Sequence, residues 1–297
     1  MGALAAGAFV PRLGKKDSQA VQVVASFYPM AEFARQVGGP RVSVTTVVGA
    51  GVEPHDYEPT PRDLARLYDA DVVVYNGVSL EPWLDKLKPN LAKSGVILVE
   101  ASAGLPLLRS SSGDAPADPH LWVDPTLASR QAARIAQAFT KADPKGATTY
   151  AAHAAAYQKK LLSLHHAFQK TLSACKSRDI FTSHQAFAYI ARTYHLQVNA
   201  LAGLSPDSEP SPQKLAQLAT LARKQHITHV FFETLVSPKL ANTLAREIGA
   251  ETLVFNPLEG LTEQEDMNGK NYISIQKDNL QALATALHCK QDVATTY

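Results

Sequence analysis

Residues 148–175 read TTYAAHAAAYQKKLLSLHHAFQKTLSAC. The stretch is rich in Ala, Leu, Lys and Gln, which favour helix, and it contains no proline. Asp143-Pro144 interrupts the pattern on its N-terminal side, so the composition predicts one helix from about Lys145 to Cys175. At 1.5 Å per residue, its roughly 31 residues would span about 46 Å. That exceeds what a crossover inside one lobe needs, and the segment reads as a rigid strut joining two lobes.

Working outward from the strut, both flanks repeat one architecture. On the N-terminal side VQVVASF (21–27), VSVTTVV (42–48), DVVVYNG (71–77) and VILVEAS (96–102) are nearly continuous in apolar residues. They read as strands buried on both faces. PMAEFARQVGG, TPRDLARLYDA and EPWLDKLKPNLA lie between them with helical periodicity, and a further helix covers about 126–142. Thr60 as N-cap, Pro61 at the first helical position and Asp63 in the first turn mark one helix start plainly. On the C-terminal side RDIFTSH (178–184), LQVNALA (196–202), THVFFET (228–234) and ETLVFNP (251–257) read as strands. QAFAYIARTY, SPQKLAQLATLARKQH, SPKLANTLAREIG and a last helix from about Asn271 to His288 separate or follow them. A βα series implies a parallel sheet flanked by helices. The expected division is therefore an N-terminal lobe at 21–143, a linking helix at 144–176 and a C-terminal lobe at 177–297.

Composition narrows the class. The 297 residues are 45% hydrophobic and 19% charged, enough apolar surface for two cores. With 29 basic and 27 acidic side chains the net charge is +2, and no Lys/Arg stripe is interleaved with aromatics, so nucleic acid is not an expected partner. No run approaches the ~18 apolar residues of a membrane span. Residues 1–20 begin MGALAAGAFVPRLGKK, apolar and without a basic leader, and are set aside as a signal remnant or a cloning scar. Cys175 and Cys289 exclude a cysteine-rich scaffold; the residues leave open one bridge or two unpaired thiols.

Strand polarity sorts the ten histidines. His153, His165 and His166 sit inside the strut, His195, His226 and His288 at helix ends, and His229 opens a strand; these read as structural. His55, His120 and His184 instead follow carboxyl ends of strands, the edge where open parallel sheets bind ligands. Glu259, after the eighth strand, is the acid chosen to join them, while Glu233 closes the seventh and Glu53, Asp56 and Glu58 flank His55. Two candidates then come from each half, and their site falls between the lobes. Three imidazoles and a carboxylate suit tetrahedral zinc, whereas manganese prefers more oxygen. Because His184 is taken to open a helix, the macrodipole is expected to disfavour its protonated form. Trp83, Trp122, Tyr189 and Tyr194 read as packing residues. Asp124 either orients His120 or begins the next helix.

GVEPHDYEPTPRDLARLYDADVVVYNG, DPHLWVDP, SHQAFAYIARTYHLQ, SPDSEPSPQKLAQL and FNPLEGLTEQE occur in that order. Together they resemble the metal-binding proteins of bacterial ABC importers for zinc and manganese, over about Val21 to Leu287. The resemblance implies an α/β receptor of two Rossmann-like (βα)4 lobes with parallel sheets, joined by one long helix, with the metal in the interlobe cleft. It implies His55, His120 and His184 as ligands. The LEGLT segment resembles the zinc-type branch, in which glutamate, here Glu259, completes the shell. Manganese-type members tend to replace the third histidine with glutamate, and His184 is kept. The implied cargo is Zn2+, with Mn2+ the alternative. The implied partners are a permease with its ATPase, and the implied setting is the periplasm or outer membrane face, with the receptor acting as a monomer. SSSGDAPADP, before His120, lacks the histidines of an auxiliary capture loop, and no lipobox cysteine stands near the start of the residues given.

Two other classes compete with this one. A metal-dependent hydrolase would leave one zinc position open and use Glu53, Asp56 or Glu233 as base, yet HExxH, GxSxG and GxxxxGK are all absent. A receptor for a siderophore or corrinoid would need an aromatic or basic cleft rather than a His/Glu set. A non-enzymatic metal receptor is the expectation.

Overall fold

The computed structural model describes residues 20–110, 115–207 and 210–290. The leader assigned to 1–20 lies outside them except for its last residue. The first half runs β1 (Val21–Ala25), α1 (Tyr28–Gly38), β2 (Val42–Thr46), α2 (Pro61–Asp69), β3 (Val72–Tyr75), α3 (Pro82–Asp85), α4 (Lys88–Lys93), β4 (Ile97–Glu100) and α5 (Pro125–Ala142). Its four strands are parallel in the order β2-β1-β3-β4, with Val23 in register with both Val44 and Val72. After α6 (Ala147–Ser173) come β5 (Asp179–Thr182), α7 (Ala188–Tyr194), β6 (Gln197–Ala200), α8 (Pro212–Lys224), β7 (His229–Phe232), α9 (Lys239–Ile248), β8 (Glu251–Val254), α10 (Glu263–Met267) and α11 (Tyr272–Ala286). Here β5 pairs with β6 and β7 with β8, all parallel, and β5 lies beside β7. The second half thus repeats the strand order of the first as two hydrogen-bonded pairs set side by side, and the two-lobed α/β expectation holds.

Several details differ for identifiable reasons. Every expected strand is two or three residues too long at its carboxyl end, where single hydrogen bonds such as Val48 N–H to Ser26 O and Ser102 N–H to Asn76 O carry the chain from the ladder into the loops. Strand β2 alternates half-buried and exposed residues, and both ends of β8 are exposed; as edge strands they are covered on one face only, contrary to expectation. The helix expected over 81–92 is two short ones, since Pro89, at the second position of α4, has no N–H to continue the ladder. The strut is 27 residues long, about 40 Å at 1.5 Å per residue, because Pro144–Gly146 form a separate 3-10 turn.

Helix α6 earns its position by a single apolar stripe. Tyr150, Ala154, Tyr157, Leu161, Leu164, Phe168 and Leu172 recur at spacings of three and four and are buried. They pack on α1 and α5 at one end and on α7 and α11 at the other. Burying each large member stabilises the fold by about 1.5–3 kcal/mol. His153, within this helix, contacts the Val37 carbonyl through Nδ1 at 3.1 Å, and His165 contacts the Tyr194 hydroxyl at 3.0 Å, both structural contacts as expected.

Cys175 and Cys289 form a disulfide, resolving the open reading of the two cysteines. Around it the backbone also pairs: Lys176 N–H donates to Leu287 O at 3.1 Å and Lys290 N–H to Ala174 O at 3.1 Å. The bridge spans 114 positions and encloses the whole second sheet. Closing a loop of that length is worth about 4–5 kcal/mol in the chain-entropy model. Replacing Cys289 with Ser should therefore lower the thermal midpoint by roughly 5–15 °C in calorimetry. An unchanged midpoint would show that the surrounding hydrogen bonds alone hold these ends.

Candidate metal centre

Four loops, all leaving carboxyl ends of strands, deliver the four residues singled out in the sequence. His55 follows β2, His120 follows β4, His184 follows β5 and Glu259 follows β8. Their donor atoms converge. Glu259 Oε1 lies 3.2 Å from Nε2 of His55, of His120 and of His184. His120 Nε2 lies 3.3 Å from His55 Nε2 and 3.4 Å from His184 Nε2. With zinc–ligand bonds of 2.0–2.1 Å, the edge of a tetrahedron is roughly 3.3–3.4 Å. These five donor separations match that figure. His120 and His184 are fully buried and Glu259 nearly so, while His55 keeps a small exposed margin.

Local chemistry explains why each side chain points inward. Thr60 and Asp63 form a reciprocal capping box at the start of α2, and the Tyr57 hydroxyl donates to Asp63 Oδ2 at 2.9 Å, tying the His55 loop to that helix. Across the cleft, Gly51 N–H donates to Leu261 O at 2.7 Å. Leu258, immediately before Glu259, is held at φ 62°, a conformation that costs a leucine on the order of 1–3 kcal/mol. Its N–H donates to Asn256 Oδ1 at 2.7 Å, so the strained turn that aims the carboxylate is fixed by a hydrogen bond.

Each histidine backbone N–H donates to a carboxylate. Glu53 accepts from His55 at 2.9 Å, Asp118 from His120 at 2.9 Å and Glu233 from His184 at 3.1 Å. Asp118 Oδ1 also sits 2.8 Å from His120 Nδ1, and Glu233 Oε2 2.6 Å from His184 Nδ1. Such contacts hold the proton on Nδ1 and turn the Nε2 lone pair toward a cation. Asp118 was missed in the sequence, although the acid-Pro-His spelling at 118–120 repeats that at 53–55. The sequence offers Glu233 as an acid closing a strand and as a candidate base, but not as the partner of His184. Asp124, for which two readings stood, caps α5: its Oδ1 accepts from Thr126 N–H at 2.7 Å, and Thr193 Oγ1 donates to its other oxygen. Glu53, Asp56 and Asp207 crowd together beside His55, and each carboxylate there disfavours the ionisation of its neighbours.

The expected charge state of His184 does not hold. Helix α7 begins four residues later, at Ala188, so His184 does not open it. Burial alone would lower its pKa, but Glu233 and Glu259 outweigh it and hold the imidazole well above its ordinary value. His120 is raised likewise, burial being outweighed by Asp118 and Glu259. His55 is lowered, chiefly by burial. Burial would raise Glu259, but the three imidazoles keep it well below the usual carboxylate range. Glu53 is pushed up to about 8, first by burial and then by Glu259. The Glu259 carboxylate and the His120 and His184 imidazoles thus favour one another's charged forms.

Two parallel sheets bridged by one helix, with three histidines and a glutamate gathered at the strand ends between them, define a two-lobed α/β binding protein built for a cation. The chain belongs to the family described as zinc-uptake complex component A, periplasmic (ZnuA), whose profile matches residues 23–286. It is 37% identical to the high-affinity zinc uptake system protein ZnuA of Bacillus subtilis, over 93% of this chain and 91% of that protein. It is 39% identical to the zinc-binding lipoprotein AdcA of Streptococcus pneumoniae over 91% of this chain, but spans only 56% of that longer protein. The crystal structure of the Zn(II)-bound ZnuA-like domain of S. pneumoniae AdcA superposes with a TM-score of 0.81 at 40% identity, covering 90% of this chain and 99% of that one.

The sign of the pH dependence follows from these shifts. His184, raised above its unfolded value of 6.5, stabilises the metal-free fold below that value, and the contribution fades as pH rises through its folded pKa. Glu259, depressed from 4.5, contributes above that value and is lost as pH falls through its lower folded pKa. A metal must displace imidazole protons, so its affinity should fall on acidification, and the fall should begin above pH 6.5 because His120 and His184 are raised. Chelator competition for zinc between about pH 6 and about pH 8 reads this directly. A flat profile would contradict the charge assignment.

Proposed function

We propose that this chain is the extracytoplasmic receptor of an ABC importer, capturing Zn2+ with His55, His120, His184 and Glu259 and handing it to the permease. The observation that carries this reading is the set of donor separations, 3.2–3.4 Å, which suits a small tetrahedral ion. The donor chemistry agrees. Three neutral nitrogens favour zinc over the harder, oxygen-seeking manganese, and His184 stands where manganese-type members tend to carry glutamate. The zinc-uptake family and its zinc-binding relatives support the same choice.

In this reading the protein performs no chemistry on its cargo. Four protein donors fill a tetrahedral shell, leaving no position for the activated water that a zinc hydrolase needs. Asp118 and Glu233 keep two imidazoles aimed, and Glu259 supplies one negative charge. The lobes are 21–143 and 177–290 of the described chain, with 144–176 linking them, and the receptor acts as a monomer. A setting outside the cytoplasm accords with the periplasmic family description, with the lipoprotein relative and with the Cys175–Cys289 bridge, since disulfides persist in oxidising compartments.

Protein purified without added metal should contain close to one zinc by elemental analysis, and zinc should displace manganese in competition. His55→Ala and His184→Ala each remove one coordination bond, from loops of different sheets, and each should weaken zinc binding by at least ~100-fold. Near-normal zinc affinity in either variant would overturn the ligand assignment.

A further inference from the structure

Helix α11 touches no candidate ligand, yet one of its faces grips the loops that carry two of them. Tyr272, Gln276 and Asn279, at positions i, i+4 and i+7, are buried together. The Tyr272 hydroxyl donates to Trp122 O at 2.6 Å, and Gln276 Nε2 donates to Val123 O at 2.8 Å. Asn279 holds Asn256 by two bonds: Nδ2 donates to Asn256 O at 2.7 Å, and Oδ1 accepts from Asn256 N–H at 2.8 Å. Trp122 and Val123 closely follow His120, and Asn256 lies three residues before Glu259. A direct bond closes the frame: the Trp122 indole N–H donates to Pro257 O at 2.8 Å. Trp122 is two residues after His120 and Pro257 two before Glu259, so the ligand loops form a ring. One side closes through the indole and the other through the 3.2 Å approach of His120 Nε2 to Glu259 Oε1.

We infer that Tyr272, Gln276 and Trp122 are positioning residues that fix the separation of His120 from Glu259 and so set the preference of the centre for a small tetrahedral ion. The inference rests on the reading of the centre as a zinc site. Its physical ground is the character of the frame. Every member is uncharged, fully or almost fully buried and hydrogen-bonded to backbone, and Phe27 packs edge-on against Trp122 at 4.8 Å. A satisfied buried polar network of this kind has little freedom to spread. A larger ion with a wider shell must push His120 and Glu259 apart against it, whereas zinc accepts the spacing already present. Freeing one carbonyl from the frame leaves the ligands in place but lets their spacing vary.

Tyr272→Phe and Gln276→Leu each remove one donor to the backbone that follows His120 and spare every proposed ligand. Tyr150→Phe is the control: it removes a buried hydroxyl that bonds Asp143, at the far end of α6. The readouts are zinc and manganese affinities by chelator competition, the Co(II) absorption spectrum and the thermal midpoint. The two α11-face variants should lose about 10-fold in zinc affinity, in the range for outer contacts of a metal site. They should lose less for manganese, and their Co(II) bands should weaken as tetrahedral geometry relaxes. Tyr150→Phe should change the midpoint alone. If Tyr272→Phe does not fold, Gln276→Leu carries the comparison. A zinc-to-manganese ratio and a Co(II) spectrum identical to wild type in the folded variants would overturn the inference. Failure of the wild-type chain to bind zinc would instead overturn the reading of the centre on which it rests.

Discussion

A carboxylate buried among three imidazoles governs much of this structure. Glu259 is removed from water, and an isolated charge there would be prohibitively unfavourable without a partner. The surrounding imidazoles favour its charged form, and a divalent ion can take over the same role. Because the protons and the ion occupy one electrostatic niche, the centre can be assembled and nearly closed before cargo arrives. The strained turn at Leu258, the carboxylates behind the histidines and the loops that follow the carboxyl ends of the strands all serve that convergence.

Much of the fold was legible because its signals are local. Apolar runs located all eight strands, and Thr60-Pro61 with Asp63 fixed a helix start that the structure reproduces as a full capping box. Strand polarity alone separated His55, His120 and His184 from the other seven histidines, since an edge of a parallel sheet is a property of chain direction. What stayed hidden depends on distance through space. Glu233 stands 49 residues from His184 in the chain, and nothing local announces that their side chains meet. The charge of His184 was misread for the same reason: a nearby helix start was assumed, while two remote carboxylates decide the matter. Whether β2 and β8 are edges depends on sheet order, which apolar content does not encode.

The two sheets do not have separate cores. One buried cluster runs from Val23 and Phe33 in the first half through Tyr157 and Leu164 of α6 to Phe231, Phe255 and Leu280 in the second. Smaller clusters fill the outer faces of each sheet. The long helix is therefore less a hinge pin than a shared wall: its stripe is buried by both halves at once. Large rotation of one half against the other would have to slide close-packed side chains past one another, and interiors at crystal-like density resist that.

The bond between Cys175 and Cys289 has a topological meaning beyond its contribution to stability. It brings together the points at which the chain enters and leaves the second half, so that half is a closed loop hung from the foot of α6. A unit whose ends coincide can be reconnected without disturbing its interior, which makes the surface turns between its strands natural places to open the chain in a permuted version of the protein.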